Sequence, residues 1–318
     1  MKRLIRPILA VLFALVFGVS VFWFSRPLDL KFEEHEARLL HHKNSKFADL
    51  GDLKIHYQEF GSGKPLVLIH GYGSSTYSWK DVVEPLAETN RVIALDLKGF
   101  GFSDKPEGDY SRVAQAEVVA RFLEKLRIEK AWIAGNSMGG EIAANLAIRH
   151  PDKIYGLVLI DSAGIRIPGK SSVAPWYTTA PVVGPFLTAV ALTSDGIVKQ
   201  GLEKSFFDDS LVTSERVAAY SLPLTTRSGQ AAAIAARRQF SEGNIESKLG
   251  SISAPTLLIW GRHDEIIPLD SGERMKRLIP GSELVVLEKC GHVPQEEMPE
   301  KVVKLVTEFI SEHDADSK

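Results

Sequence analysis

From residue 66 to residue 160, short apolar runs alternate with stretches of helical periodicity, and that rhythm constrains this chain more than any other feature. Runs at 66–70, 91–97, 130–136 and 154–160 read as strands, and segments near 78–88, 111–127 and 138–149 read as helices. Strands that are near-continuously apolar must be covered on both faces, and a helix between each pair lets neighbours run parallel. The expectation is an α/β fold, a mostly parallel sheet with helices on both faces. Residues 47–60 alternate apolar and polar positions, as in Ile55-His56-Tyr57-Gln58, and suggest two half-exposed edge strands.

One of these junctions carries chemistry. The run Ala131-Trp132-Ile133-Ala134 leads into Gly135-Asn136-Ser137-Met138-Gly139, which opens the small-residue stretch Gly140-Glu141-Ile142-Ala143-Ala144. A strand-to-helix turn this sharp crowds the backbone, so the positions flanking the serine must be nearly free of side chain. Ser137 is then lifted above the sheet as a candidate nucleophile. The amide of Met138, at a helix N-terminus, is placed to hold a developing oxyanion.

A serine needs a base, and the base needs a group to orient it. The strand Pro255-Thr256-Leu257-Leu258-Ile259-Trp260 ends at Gly261-Arg262-His263-Asp264, and Leu284-Val285-Val286-Leu287 runs on to Cys290-Gly291-His292. Both side chains stand past the carboxyl ends of strands, where sites in parallel sheets collect. Asp264 is therefore the expected acid and His292 the expected base. Asp161, which ends Leu157-Val158-Leu159-Ile160, is a competing acid. Upstream, Leu66-Val67-Leu68-Ile69 runs into His70-Gly71-Tyr72-Gly73. This loop is assigned the second oxyanion amide, that of Tyr72, with Gly71 close by and His70 as a brace.

These segments, with Asp96-Leu97-Lys98-Gly99-Phe100-Gly101-Phe102-Ser103, resemble the α/β-hydrolase superfamily from about residue 47 to the C-terminal helix. The order Ser137, Asp264, His292 is the one that family uses. The resemblance implies a catalytic domain at 47–163 and 251–314, with a helical lid at 164–250 inserted before the last strands. Within the lid, helical stretches are expected around 195–207, 213–222 and 228–240. Trp176, Tyr177, Phe186, Leu187, Val190 and Leu192 give it an apolar complexion suited to a hydrophobic acyl or aryl group.

The expected function is hydrolysis of a hydrophobic carboxylic ester, a small-molecule substrate, through an acyl-enzyme. The second reading is carbon–carbon hydrolysis of ring-fission dienoates, because Gly135 to Gly140 and Cys290-Gly291-His292 look especially like those hydrolases. Two features complicate it. Val293 stands where those enzymes usually carry an aromatic residue, and a lid arginine is needed, with Arg166, Arg227 and Arg237 as candidates. The third is a non-catalytic binding protein that keeps the fold. A carboxylate-nucleophile hydrolase is excluded by Ser137.

Charge is balanced, with 38 Lys and Arg against 40 Asp and Glu, so no basic footprint for nucleic acid is present. A single Cys permits no internal disulfide, and neither it nor His35, His41 and His42 sits at metal-ligand spacing. No cofactor is expected; the glycine-rich turn at 96–101 does not fit G-x-G-x-x-G. At the N-terminus, Lys2, Arg3 and Arg6 precede an uncharged apolar run at 8–24. At roughly 17 residues it is short for a spanning helix and long for a signal-peptide core. The expectation is an uncleaved membrane anchor within 1–27, with a signal peptide cut near Gly18-Val19-Ser20 as the alternative. A juxtamembrane linker follows at 28–46. Three basic residues before the run against Arg26 after it predict a cytoplasmic N-terminus and a catalytic domain on the opposite, extracytoplasmic side.

Overall fold

The computed structural model describes residues 24–166, 195–240 and 245–314, together with residues 13, 17, 18, 20 and 21. Eight strands form one sheet in the order β1-β2-β4-β3-β5-β6-β7-β8. They are β1 (Ser45–Asp49), β2 (Lys54–Phe60), β3 (Lys64–Ile69), β4 (Asn90–Leu95), β5 (Ala131–Asn136), β6 (Ile154–Ile160), β7 (Thr256–Gly261) and β8 (Glu283–Leu287). β2 pairs antiparallel with both β1 and β4, and every other pairing is parallel. β4 forms outside β3 and β5 then crosses back to its other side. That reversal opens a crevice at the carboxyl ends of β3 and β5, where ligands bind in such sheets.

The two-residue period of the strands sorts side chains into two cores. Val67, Ile69, Ile93, Leu95, Ile133, Leu157 and Leu159 enter one core, under α1 (Arg112–Lys125) and α2 (Met138–Arg149). Their neighbours Leu66, Leu68, Val92, Ala94, Trp132, Val158 and Ile160 enter the other, under the C-terminal helix at Pro299–Asp314. Complete burial on both faces is why these strands read as unbroken apolar runs. Trp132 fills the second core so closely that a Cβ on Gly156 of the adjacent strand would overlap its ring.

Between β6 and β7 the sheet is interrupted by α3 (Asp195–Glu203), α4 (Ser214–Ser221) and α5 (Arg227–Arg238). Thr213 and Thr226 cap α4 and α5 through their side-chain oxygens, which supply acceptors for otherwise orphaned first-turn amides. These helices stand where the periodicity placed them. The apolar residues Trp176, Tyr177, Phe186, Leu187, Val190 and Leu192 lie outside the described residues. α6 (Leu269–Leu278) and α7 (Pro299–Asp314) complete the layers.

Two expectations are corrected. The helix expected over 78–88 is only a 3-10 turn at Thr76–Trp79 and one α-turn at Val83–Leu86; Pro85, inside that α-turn, has no N–H to bond back to the preceding turn, so the ladder does not run on between the two. The second correction concerns the membrane. Among the described residues no helix is long and apolar enough to cross one, which overturns the single-pass anchor and the extracytoplasmic placement that depended on it. The apolar run is shorter than the roughly 20 residues a bilayer core demands. The residues after it are held by the protein itself. The Arg26 guanidinium donates to the Leu224 carbonyl at 2.7 Å. The Pro27 and Leu28 carbonyls accept from Arg227 and Ser228 at 3.1 and 2.9 Å, and Asp29 pairs with Lys105 at 2.8 Å.

Because the Gly156–Trp132 approach leaves no space, Gly156→Ala is expected to cost about 1–3 kcal/mol of stability through overpacking. A lowered denaturant midpoint, with turnover per folded molecule retained, is the outcome to be measured.

Candidate active site

Ser137 sits between β5 and α2 with φ 55° and ψ −118°, a backbone conformation that a side-chain-bearing residue adopts only when its surroundings impose it. A Cβ on Gly135 would overlap the Gly139 carbonyl, and one on Gly139 would overlap the carbonyls of Ile69 and His70. The turn is therefore closed by backbone packed on backbone. It is further tied by Ser137 N–H donating to Ile160 O at 2.9 Å and Ala163 N–H donating to Ser137 O at 3.0 Å.

The loop after β3 lies against the same turn, with the Gly71 Cα facing the Ser137 side chain. His70 is fully buried, and burial lowers its pKa. Its Nε2 accepts from Leu97 N–H at 3.0 Å, so the proton is on Nδ1, which donates to the Gly71 carbonyl at 2.7 Å. Ser74 N–H donates to that same carbonyl at 3.3 Å. In a trans peptide the next N–H points the opposite way. The Tyr72 amide is thereby turned away from the braced side of its loop. The Tyr72 hydroxyl donates to Ala233 O of α5 at 3.0 Å.

His292 and Asp264 meet as their strand-end positions predict. His292 Nδ1 lies 2.7 Å from Asp264 Oδ2, and the two are 6% and 7% exposed. The second oxygen, Asp264 Oδ1, accepts from the amides of Ile266 and Ile267 at 2.7 and 2.9 Å. A carboxylate only accepts, so Nδ1 carries the proton and Nε2 is left with its lone pair. Asn136 was singled out only as part of its motif. It donates through Nδ2 to Ile160 O at 3.2 Å and His292 O at 3.0 Å, clamping the histidine loop onto the serine turn. No local sequence signal marks this role, since it depends on two strand ends that are neighbours only in the sheet.

The histidine loop is also pinned from the helical insertion. His292 N–H donates to Ser205 O at 2.7 Å. Glu297 accepts from Gly291 N–H at 2.7 Å and from Phe207 N–H at 2.8 Å. Glu296 forms an ion pair with Arg216 of α4 at 3.0 Å and accepts from the Tyr220 hydroxyl. Burial pushes the Glu296 carboxyl up to about 7. Cys290 is fully buried beside them, and burial raises its thiol.

Ser137, Met138, Tyr72 and His292 all line one cleft of about 420 Å³. Its walls include Val198, Leu202, Leu224 and Phe240 from the insertion, Ile266 and Ile267 beside Asp264, and two guanidinium groups, Arg112 and Arg237. A larger surface groove of about 780 Å³ lies between residues 81–89 and α7 and holds none of these side chains. Asp161, Asp264 and His292 each present a ligand atom within 4.8 Å of the others. All three are buried, and Asp264 and His292 are already bonded to each other. Two of the three donors are thus engaged with each other rather than turned to a common centre.

A family model described as the alpha/beta hydrolase fold matches residues 64–299. This chain belongs to the α/β hydrolase fold family. Among relatives of that family, the 2-hydroxymuconate semialdehyde hydrolase of Pseudomonas sp. (strain CF600) is 33% identical over 83% of this chain and 92% of its own length. A meta-cleavage product hydrolase from Pseudomonas fluorescens IP01 is 29% identical, with a TM-score of 0.73 over 84% of this chain and 97% of that one. A structure titled as a membrane phospholipase A and bacterial virulence factor is 31% identical, with a TM-score of 0.73 over 99% of both chains. In this α/β hydrolase sheet the Ser137 turn follows β5, Asp264 follows β7 and the His292 loop follows β8.

The ionisation of Glu296 gives a test of this region. Below the ordinary carboxylate range Glu296 is protonated in folded and unfolded chain alike. As pH rises through that range the unfolded chain releases its proton while the folded one holds it to about 7, so stability is lost across the window. Glu296→Gln, which stays neutral, is expected to gain on the wild type between about pH 5 and about pH 8 in thermal melts.

Proposed function

We propose that this α/β hydrolase is a serine-dependent enzyme acting on apolar acyl compounds that carry an anionic group, and that its leading reaction is hydrolysis of a carbon–carbon bond in ring-fission dienoates. The observation that carries this reading is the pair Arg112 and Arg237 in the wall of the cleft that holds Ser137 and His292. Of the three lid arginines raised by the sequence, Arg237 is the one lining the cleft. Arg112 faces Glu141 at 3.5 Å. Burial pushes the Glu141 carboxyl up to about 7, which near neutrality weakens its claim on the Arg112 guanidinium and favours a substrate carboxylate there. Similarity to a 2-hydroxymuconate semialdehyde hydrolase and to a 2-hydroxy-6-oxo-6-phenylhexa-2,4-dienoate hydrolase supports this reading over the ester reading that the sequence placed first.

In this reading each residue has one role. The Ser137 hydroxyl attacks the acyl carbonyl while His292 Nε2 takes its proton. Asp264 holds the imidazole through Nδ1 and balances its positive form. The amides of Met138 and Tyr72 stabilise the tetrahedral oxyanion, a donor each worth about 3–4 kcal/mol in the transition state. The dienol first passes to its keto form, its 2-hydroxyl proton moving to the carbon next to the acyl carbonyl. Collapse of the tetrahedral intermediate thereby breaks the carbon–carbon bond and expels that carbon as a dienolate. The dienolate takes the proton from His292, and water then releases the acyl group by the same steps. Residues 164–250 act as the lid that keeps bulk water from the acyl-enzyme.

A second reading is hydrolysis of a carboxylic ester, including that of an anionic lipid. The likeness to the phospholipase A covers 99% of this chain and so includes the residues before 64 that the family model does not match. The aliphatic wall of Val198, Leu202 and Leu224 accommodates a fatty acyl chain equally well.

One panel tests both. Purified protein is given a coloured ring-fission dienoate, p-nitrophenyl esters of increasing chain length and an anionic phospholipid. Turnover of the dienoate above the esters is the expected result, and esterase activity alone turns the assignment to the second reading. Ser137→Ala is expected to abolish all turnover and fluorophosphonate labelling while leaving the fold intact. An unlabelled wild type would instead favour a binding protein.

A further inference from the structure

Two carboxyl groups stand beside His292, and the reaction above uses one. Asp161 follows β6 and Asp264 follows β7, adjacent parallel strands. Their side chains and that of His292 place one oxygen or nitrogen each within 4.8 Å of the others. Asp161 is fully buried, and its Oδ1 accepts from Gly261 N–H at 2.9 Å. Its backbone is left-handed at φ 42°, so the carboxyl is held in place at some conformational cost. Two buried carboxylates this close cannot both ionise, since their repulsion adds to the cost of leaving water. Burial, then the charge of Asp264, then the hydrogen bond with Asp264 all push the Asp161 carboxyl well above the ordinary range.

We infer that Asp161 is a reserve acid of the relay: it and Asp264 share one proton and one negative charge, and Asp161 supplies the anion whenever Asp264 is neutralised. The inference rests on the Ser137–His292–Asp264 reading. In the resting pair Asp161 keeps the proton and donates it to Asp264, which holds His292. When His292 takes the Ser137 proton, the imidazolium faces a pair whose net charge is a single negative, and no proton need leave the pair. The groups facing Asp161 are Asp264 from the loop after β7, His292 and Cys290 from the loop after β8, and Glu297 from the turn beyond it. Both other carboxylates disfavour its charge, so its ionisation waits on removal of the nearest one.

The test is a double-mutant cycle in the full chain, with asparagine at either site. Asparagine keeps the size and hydrogen bonds of a protonated aspartic acid and tolerates left-handed backbone. Asp161→Asn is expected to lower kcat/KM less than about threefold in the wild type but at least about tenfold in the Asp264→Asn background. Asp264→Asn alone is expected to lose well under the ~10⁴-fold that removal of an orienting acid costs elsewhere. Its activity should rise with pH along a limb that the double variant lacks. Equal costs of Asp161→Asn in both backgrounds, or no such limb, would overturn the reserve role and leave Asp161 a structural acid. Loss with Asp161→Asn matching that of Asp264→Asn would overturn it in favour of Asp161 as the primary acid. If the double variant does not fold, Asp161→Gly, which suits the left-handed backbone, replaces Asp161→Asn throughout the cycle. Failure of the underlying reading is distinguished by Ser137→Ala, whose retained turnover would remove the relay altogether.

Discussion

The strained backbone of Ser137 is the constraint on which the rest of the site depends. Its φ of 55° and ψ of −118° persist because β3, β5 and α2 meet with no side chain between them at Gly135 and Gly139. The sheet core on both sides of β5 is fully buried, so there is little freedom for the turn to relax. Strain of this kind costs on the order of 1–3 kcal/mol and is recovered from burial spread over many apolar residues. The same close approach that strains the serine brings the loop after β3 against it, so the Ser137 turn and that loop are set by one packing event.

A second layer of organisation comes from strand order. β5, β6, β7 and β8 are consecutive in the sheet, so their carboxyl ends deliver Ser137, Asp161, Asp264 and His292 side by side. Asn136 and Glu297 then fasten the histidine loop from opposite sides, one from the serine turn and one toward the helical insertion. Electrostatics finishes the arrangement. Burial, then the charge of Asp264, hold the Asp161 carboxyl well above the ordinary range, so the carboxylate of Asp264 faces His292 without a second full charge beside it.

Much of this was legible in residue order, because backbone demands leave a local mark. Glycines at 135 and 139 announce a turn that admits no Cβ, and unbroken apolar runs announce strands covered twice. Asp264 and His292 could be matched because each stands just beyond such a run. The contributions of Asn136, Arg112 and the Arg216–Tyr220–Glu296 group carry no such mark, since each depends on a partner dozens of residues away. The membrane reading failed for a different reason. Hydropathy weighs apolarity within a window, whereas the tertiary bonds that hold Arg26, Pro27 and Leu28 against residues 224–228 lie outside its view.

The bond from His292 N–H to Ser205 O has a mechanical consequence. The helical insertion and the mounting of the imidazole are not separate bodies, because one backbone hydrogen bond joins them. Displacing the segment after α3 would therefore pull on the loop that carries His292, so the placement of the insertion and the aim of this imidazole are geared together.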